Sequence, residues 1–282
     1  MVPEQSLSPL NQNENKMSTI TGKTNLVGLL GQPVNHSLSP IMHNAAYEEM
    51  GLNWCYVAMP CERTNLERVI TALRLIECKG LNITIPHKEE VLRTCNKLTN
   101  IANEIQAVNT LIPENNNKWT GANTDVEGFL KPLQDQNLIE KNVVILGCGG
   151  SARAVVMALT SLNVKRITII GRNENTLVTF VTNMRKLTEK RKILIEGLNN
   201  KKVNIKSYIE EADLIVNTTP IGMKKEKGEK ETIPLGPETW ENLSNRTILY
   251  DLIYTPRPTN WLKLGQQKNC FTIDGLDMLV EQ

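Results

Sequence analysis

The sequence predicts an α/β fold built from two units, and three observations support this prediction. The chain of 282 residues is long enough for two domains. Short apolar runs rich in β-branched residues alternate with stretches of helical periodicity, which is typical of parallel sheets covered by helices. Near the middle of the chain, a glycine-rich turn at Gly147–Ala152 separates an apolar run from a helical pattern. We therefore place the boundary between the two units close to this turn.

Composition argues against several classes of protein. The 32 basic and 30 acidic side chains nearly cancel, so neither nucleic acid nor a membrane is indicated as a partner. No apolar run approaches the roughly 20 residues that a membrane-spanning helix needs. The six cysteines have no CxxC spacing and follow no secretory signal, which predicts reduced thiols in a cytoplasmic protein. The three histidines lack the paired spacing of zinc ligands, so we expect no metal site.

In the first unit, residues 1–23 are polar and aperiodic, and we expect a disordered extension. The strands predicted after it are Leu26–Leu30, Trp54–Ala58, Leu81–Ile85, Ala107–Ile112 and Lys118–Ala122, the last two joined by a turn at Pro113–Asn117. The predicted helices are 39–51, 66–78, a stretch near 89–95, and 126–136. Ser39, followed by Pro40, is a candidate N-cap of the first helix.

The second unit repeats the alternation. Its predicted strands are Val143–Leu146, Ile167–Ile170, Leu214–Asn217, Thr247–Leu252 and Phe271–Ile273. Its predicted helices follow the glycine turn, span 174–187 and 260–267, and form a last segment that reaches Gln282. The charged run Lys224–Glu231 predicts a solvated loop.

The glycine turn predicts a dinucleotide site because it lies between a strand and a helix in a G-x-G-x-x-A pattern. Gly147 permits the tight turn, Gly149 lets the backbone approach a pyrophosphate, and Ala152 lets the helix pack on the strand. Phosphates would bind the N–H groups that open the helix. A glycine turn that binds nothing is the less favoured alternative.

The end of the next strand favours NADP over NAD. An NAD site usually carries an acidic residue about 20 residues after the glycines. Here Ile167–Ile170 is followed by Gly171, Arg172 and Asn173, and Arg172 is placed to bind a 2′-phosphate by charge-assisted hydrogen bonds. The alternative is a surface arginine, and the nearby Glu174 argues against NADP.

Eight motifs then occur in an order that identifies a family: GQPVNHSLSPIMHNAAY, GLNITIPHK, AVNTL, GANTDVEGF, LGCGGSARA, VNTTPIGM, DLIYTPRPT and GLDMLVEQ. From Thr24 to its end, the chain resembles the shikimate/quinate dehydrogenase family. The resemblance implies an N-terminal substrate-binding domain (24–125), a Rossmann-type NADP-binding domain (126–256), and a C-terminal segment (257–282) that packs back on the first domain. It also implies the reversible, NADPH-dependent reduction of 3-dehydroshikimate to shikimate in aromatic amino-acid biosynthesis. A small-molecule substrate is thus the expected partner, and a homodimer is left open.

The resemblance assigns proton transfer to Lys88 and Asp125. Lys88 follows a predicted strand end, where residues of an open α/β sheet face the ligand crevice, and Asp125 closes the GANTD segment. A lysine beside a carboxylate can transfer protons, although a surface salt bridge is the usual alternative for such a pair.

Short polar side chains are expected to contact shikimate, which carries a carboxylate and three ring hydroxyls. Those implied by the resemblance are Ser37, Ser39, Thr84, Asn109, Asp125, Tyr254 and Gln282, with Asn82 close by. Ser37, Ser39 and Tyr254 would approach the carboxylate, and Thr84, Asn109 and Asp125 the hydroxyls. For Asn82 and Thr84 the alternative role is to satisfy backbone groups at a strand end. The family does not use His36, His43 or His87 as acid or base.

The cofactor contacts implied by the resemblance fall into three groups. They are Gly147, Cys148, Gly149, Gly150 and Ser151 at the pyrophosphate, Arg172 and Asn173 at the adenosine phosphate, and Leu252 and Gly275 at the nicotinamide.

The sequence also departs from the family. Gly171 replaces the usual asparagine, Asn173 the usual threonine or serine, and Asn100 a frequent acid, while family members normally continue through another helix after Gln282. Two alternatives stay open: a quinate/shikimate dehydrogenase of broader specificity, and a non-catalytic relative that binds NADP or a metabolite. The paired serines favour shikimate, and the intact Lys88 and Asp125 favour catalysis.

Overall fold

The computed structural model describes residues 20–200, 204–223, 232–236, 239 and 243–282. Most of the expected disordered extension, and the loop expected at 224–231, lie outside these residues. Within them, the chain forms two six-stranded sheets with helices on their faces. None of the described helices is long and apolar enough to cross a membrane.

The first sheet has the strand order β2-β1-β3-β5-β6-β4. Its strands are β1 (Asn25–Gly31), β2 (Trp54–Pro60), β3 (Leu81–Ile83), β4 (Lys97–Leu98), β5 (Thr110–Glu114) and β6 (Lys118–Ala122). Its helices are α1 (Ser39–Glu49), α2 (Leu66–Leu75), α3 (Asn100–Ile105) and α4 (Asp125–Leu130), with single 3-10 turns at Arg63–Asn65, Glu90–Thr94 and Lys131–Leu133.

The prediction of a parallel sheet was wrong for part of this unit. β1 is parallel to β2 and β3, but β5 runs antiparallel to both β3 and β6. The short turn at 115–117 explains the antiparallel pairing of β5 with β6, since a connection of that length can join only antiparallel neighbours.

Several predicted bounds also move. β3 ends at Ile83 because the chain leaves the sheet in a turn closed by the His87 N–H on the Thr84 carbonyl at 2.9 Å. α2 ends at Leu75, three residues early, and Glu77 beyond it has a positive φ of 62°. The sequence reading missed β4 and α3, although Thr99 caps α3 by accepting from the Ala102 N–H. These elements are short and carry little periodicity.

The second sheet is parallel throughout, in the order β12-β11-β10-β7-β8-β9. Its strands are β7 (Asn142–Leu146), β8 (Arg166–Gly171), β9 (Leu194–Asn199), β10 (Leu214–Asn217), β11 (Ile248–Asp251) and β12 (Phe271–Ile273). Its helices are α5 (Gly150–Ser161), α6 (Glu174–Glu189), α7 (Lys206–Glu210), α8 (Asn260–Gln267) and α9 (Leu276–Glu281). This order reverses between β7 and β10, which is the doubly wound Rossmann arrangement, so the predicted α/β class is confirmed.

Side chains of β7 alternate between two cores. Val143 and Ile145 pack in one apolar cluster, and Val144 and Leu146 in another on the opposite face. Burial on both faces explains the uninterrupted apolar run of this strand. The edge strand β9 has an interrupted pattern with Glu196 and Gly197, and the sequence reading missed it together with α7.

The C-terminal helix α9 packs against α4, at the point where the chain leaves the first sheet. A Cβ atom at Gly128 of α4 would lie 2.8 Å from the Met278 carbonyl oxygen and 3.0 Å from Gln282 Cγ. Only glycine therefore permits this approach of the two helices. The contact agrees with a C-terminal segment that returns to the first unit; the domain bounds themselves stay predictions.

The variant Gly128→Ala should move α9 away from α4, because the added methyl group meets backbone rather than a flexible side chain. We expect a loss of about 1–3 kcal/mol in the free energy of unfolding, as for other overpacked sites. Urea denaturation would measure it. Gly22→Ala is the matched control, since a Cβ there meets nothing within 4 Å. Equal stability of the two variants would contradict the proposed tightness of this contact.

Candidate active site

A cavity of about 360 Å³ lies between the two units, at the carboxyl ends of the central strands. It collects side chains that are far apart in the sequence. Those that the sequence indicated and that line it are Ser37, Ser39, Asn82, Thr84, Lys88, Asn109, Asp125, Ser151, Leu252, Tyr254, Gly275 and Gln282.

The centre of the cavity wall is an ion pair. Lys88 Nζ lies 2.7 Å from Asp125 Oδ2, and the two side chains are 12% and 1% exposed. Lys88 Nζ also donates to Ser151 Oγ at 3.3 Å. This burial excludes the surface salt bridge that was the alternative for the pair. An ammonium held in this way can pass a proton to an atom inside the cavity.

Two hydrogen bonds hold the Asp125 carboxylate in place, and a third holds its backbone. Its Oδ1 accepts from Asn109 Nδ2 at 2.9 Å and from Gln282 Nε2 at 2.8 Å, and its backbone N–H donates to Asn123 Oδ1 at 3.0 Å. A buried carboxylate needs such partners as well as its counter-ion. The C-terminal helix thus contributes directly to the site through Gln282.

The backbone around Lys88 is also fixed. The Lys88 carbonyl accepts from the Val108 N–H at 2.7 Å. His87 points away from the cavity into the core, where its Nε2 donates to the Cys61 carbonyl at 2.7 Å. A structural role for His87 follows from this geometry.

The start of α5 reaches Lys88 from the other unit. A Cβ atom at Gly150 would lie 2.8 Å from Lys88 Cβ, so glycine is needed here for close approach. This contact joins the glycine turn of the second unit to Lys88 of the first unit. The turn and the Lys88–Asp125 pair therefore lie side by side.

The two serines lie on the loop that leads into α1. α1 begins at Ser39 itself, and Leu38 before it already has helical dihedral angles, so the prediction that Ser39 is the N-cap was wrong. Ser37 Oγ instead accepts from the Ser39 N–H at 3.2 Å, and Ser39 Oγ accepts from the Ser37 hydroxyl at 3.2 Å. Both hydroxyls line the cavity as a pair.

The amide of Asn82 is bound by side chains. It accepts from the Tyr56 hydroxyl at 2.8 Å and donates to Thr110 Oγ1 at 3.3 Å. The alternative, in which Asn82 satisfies backbone groups, is therefore wrong. His36 and His43 also line the cavity, and burial lowers the pKa of both, so they are neutral near pH 7.

The glycine turn has the shape of a phosphate cradle. Gly147 has a φ of +106°, and a Cβ there would meet Thr218 Oγ1 at 2.7 Å, so the turn requires glycine. A Cβ at Gly149 would meet nothing within 4 Å, which leaves open space above the N-terminus of α5. These features fit a dinucleotide pyrophosphate. Burial raises the pKa of the Cys148 thiol, which argues for a filler and against a reactive cysteine.

Arg172 and Asn173 lie at the end of β8, beside this turn, because the Gly147 N–H donates to the Ile170 carbonyl at 2.9 Å. Arg172 is exposed. Asn173 caps α6, since its Oδ1 accepts from the Thr176 N–H at 3.0 Å. The side-chain oxygen of Asn173 is therefore engaged, and within the side chain only the NH2 group is left to bind an anion.

The sequence reading missed Tyr56 and Asn217. Both are buried, and each orders a stretch that lines the cavity. Asn217 Oδ1 accepts from the Thr219 N–H at 3.0 Å, and Asn217 Nδ2 donates to the Ile221 carbonyl at 3.1 Å. For Asn217 the available signal was a polar side chain at the end of an otherwise apolar strand.

Known proteins resemble the chain over almost its whole length. A family model for the shikimate dehydrogenase substrate binding domain matches residues 29–111. A relative from Prochlorococcus marinus (strain MIT 9312), named shikimate dehydrogenase (NADP(+)), is 49% identical over 263 residues, which cover 93% of this chain and 90% of the relative.

Two solved structures have the same fold. A shikimate dehydrogenase in complex with NADP+ matches with a TM-score of 0.80 and 36% identity, covering 94% of this chain and 89% of that chain. Shikimate 5-dehydrogenase from Thermus thermophilus, in complex with NADP(H) and shikimate, matches with a TM-score of 0.73 and 29% identity, covering 92% of this chain and 90% of that chain.

A buried carboxylate supports the cavity from the second sheet. Asp251 Oδ1 accepts from Asn217 Nδ2 at 2.9 Å and from the Ile253 N–H at 3.2 Å, and Oδ2 accepts from Thr259 Oγ1 at 2.8 Å. These bonds tie the end of β10 to the segment that carries Leu252. Burial raises the pKa of Asp251 to about 6.

The variant Asp251→Asn should remove a pH dependence of stability. The pKa of Asp251 rises from 3.8 to about 6 on folding, so the folded chain binds the proton more tightly and stability falls as pH rises through this range. At roughly 1.4 kcal/mol per pKa unit, the wild type should gain about 2–3 kcal/mol over the variant between pH 8 and pH 4. Urea denaturation of both proteins at the two pH values would measure the gain, and parallel stability changes would contradict it.

Proposed function

The chain belongs to the shikimate dehydrogenase family, and we propose that Lys88 and Asp125 transfer the proton of its reaction. As a member of this family it is an NADP-dependent oxidoreductase that interconverts 3-dehydroshikimate and shikimate, a step of aromatic biosynthesis. The observation that carries the proposal is the 2.7 Å contact between Lys88 Nζ and Asp125 Oδ2 in the cavity wall.

Reduction of a ketone needs a hydride at carbon and a proton at oxygen. NADPH supplies the hydride when it is bound. The Lys88 ammonium donates the proton to the carbonyl oxygen, and in the opposite direction the amine accepts the proton of the hydroxyl. Asp125 orients Lys88 and stabilises its positive charge, and Asn109 and Gln282 keep the carboxylate in position for this task.

The polar lining of the cavity supports a matching orientation of the substrate. We place the carboxylate of shikimate at the paired hydroxyls of Ser37 and Ser39, with Tyr254 nearby. The ring hydroxyls then face Thr84, Asn109 and Asp125, and Gln282 closes the site from the C-terminal end of α9. Such polar groups discriminate against analogues that leave them unpaired.

We assign the cofactor contacts to three groups of residues. Gly147, Cys148, Gly149, Gly150 and Ser151 at the start of α5 would bind the pyrophosphate through backbone N–H groups. Arg172 and the Asn173 amide would bind the 2′-phosphate of the adenosine. Leu252 and Gly275 would contact the nicotinamide, which brings the hydride donor towards Lys88.

We also propose a cytoplasmic location, which the free thiols of all six cysteines support. A homodimer stays a prediction that sedimentation equilibrium would test.

The overall function is tested by the absorbance of NADPH at 340 nm. We expect NADP+-dependent oxidation of shikimate, with a higher kcat/KM for shikimate than for quinate. A higher value for quinate would favour the broader enzyme. No activity with either acid would favour a non-catalytic relative.

The variant Lys88→Met should lower kcat about 10²–10⁴-fold, the usual contribution of general acid–base catalysis. Asp125→Asn should lower kcat as well, because it removes the charge that orients Lys88. Substrate affinity of Lys88→Met, measured by calorimetry with shikimate, should change little. Lys97→Met, at an exposed lysine of β4, is the control. Near-normal turnover by Lys88→Met would exclude its role in proton transfer.

The variant Arg172→Ala should raise the KM for NADP+ about 10–100-fold, since hydrogen bonds to charged groups contribute about 1.5–3 kcal/mol. The KM for NAD+ should stay the same, because that cofactor has no 2′-phosphate. Arg185→Ala, at an exposed arginine of the following helix α6, is the matched control. An equal change in both KM values would show that Arg172 does not read the phosphate.

A further inference from the structure

Tyr56 lies in the middle of β2 and is 3% exposed, outside the set of residues that line the cavity. Its hydroxyl donates to Asn82 Oδ1 at 2.8 Å. A carboxamide oxygen can only accept, so the hydroxyl proton is committed to Asn82. Burial raises the pKa of Tyr56, which keeps that proton on the phenol.

A one-directional series of hydrogen bonds starts at this hydroxyl. Asn82 Nδ2 donates to Thr110 Oγ1 at 3.3 Å, and Thr110 Oγ1 donates to Asn109 Oδ1 at 2.9 Å. Asn109 Nδ2 then donates to Asp125 Oδ1 at 2.9 Å. Each acceptor fixes the orientation of the next donor, and such chains strengthen one another in a buried setting. The orientation of both amides is thus set before any ligand binds.

Tyr56 also anchors helix α1, which carries Ser39. The His43 ring stacks on the Tyr56 ring with centroids 4.3 Å apart and an interplanar angle of 9°. Asn44 donates to the Tyr56 carbonyl at 2.9 Å and accepts from the Tyr56 N–H at 2.8 Å. Ser39 and His43 are one helical turn apart, so this face of α1 rests on Tyr56.

We propose that Tyr56 is a positioning residue that sets the spacing between Ser39 and Asn82, and thereby the fit of a hydroxylated cyclic carboxylic acid. Through Ser39 it places the group proposed to receive the carboxylate. Through Asn82 it orders the amides that face the ring. This inference rests on the proposed function, because it assigns Tyr56 to the affinity of the same substrate.

The test is the variant Tyr56→Phe, which keeps the ring and removes only the hydroxyl. A buried partner left unsatisfied costs about 1–3 kcal/mol, so we expect the KM for shikimate to rise about 5–100-fold. The kcat should change less than the KM for shikimate, because Lys88 and Gln282 still hold Asp125 when the orientation of Asn109 is disturbed. The KM for NADP+ should stay within about twofold, because the glycine turn keeps its own contacts. A merely structural role would impair all three parameters together.

Tyr250→Phe is the matched control. Tyr250 is equally buried and stacks on Phe129, but its hydroxyl has no hydrogen-bond partner among the described residues. Its loss should change neither KM. An unchanged KM for shikimate in Tyr56→Phe, or an equal rise in both tyrosine variants, would overturn the proposal.

A double-mutant cycle of Tyr56→Phe with Asn82→Ala tests whether Tyr56 affects the KM for shikimate through Asn82. If Tyr56 acts through Asn82, the two changes in KM should combine to less than their product. A full product would overturn coupling between them. Activity of the wild type with shikimate decides the proposed function separately, and the ratios between variants decide the role of Tyr56.

Discussion

The Lys88–Asp125 ion pair is the interaction on which the rest of the site depends. Two charges can be removed from water only when each is fully supplied with partners. That requirement explains why so many separate elements meet at this pair: Asn109 just before β5, Gln282 at the end of α9, and Ser151 at the start of α5. Each of these contacts joins a different part of the fold to the cavity. The pair is therefore the point where both units meet, and it is also the proposed site of proton transfer.

Sheet topology creates the space around the pair. In the second sheet the strand order reverses between β7 and β10, and a crevice opens where the connections leave in opposite directions. The glycine turn after β7 and the threonines after β10 border that crevice. The first sheet presents its own strand ends from the opposite side. This arrangement supports the proposal that a hydride carrier and a hydroxylated acid face each other beside Lys88.

Sequence and structure agree best where periodicity is strong. The predicted bounds of β7 and β8 lie within one residue of those in the structure, because a strand buried on both faces has an uninterrupted apolar pattern. β9 was missed because an edge strand is packed less completely and tolerates Glu196 and Gly197.

Within the site, the agreement follows the family motifs. The motifs indicated Lys88, Asp125 and the pair Ser37 and Ser39. In the structure all four side chains line one cavity. Tyr56 was not predicted because a tyrosine in an apolar strand has the pattern of a core residue. Only the structure shows that its hydroxyl bonds to Asn82. Ser39 was misread as a cap because Leu38 turned helical first, a choice of backbone that local sequence does not encode.

The contact at Gly150 has a geometric consequence. Lys88 of the first unit and helix α5 of the second approach each other at this point, and only glycine, which has no Cβ, leaves room for the contact. The absence of a side chain at Gly150 therefore sets the distance between the proposed proton donor, Lys88, and the proposed binding site of the hydride donor. The contact between Gly150 and Lys88 thus sets how the two units align with each other.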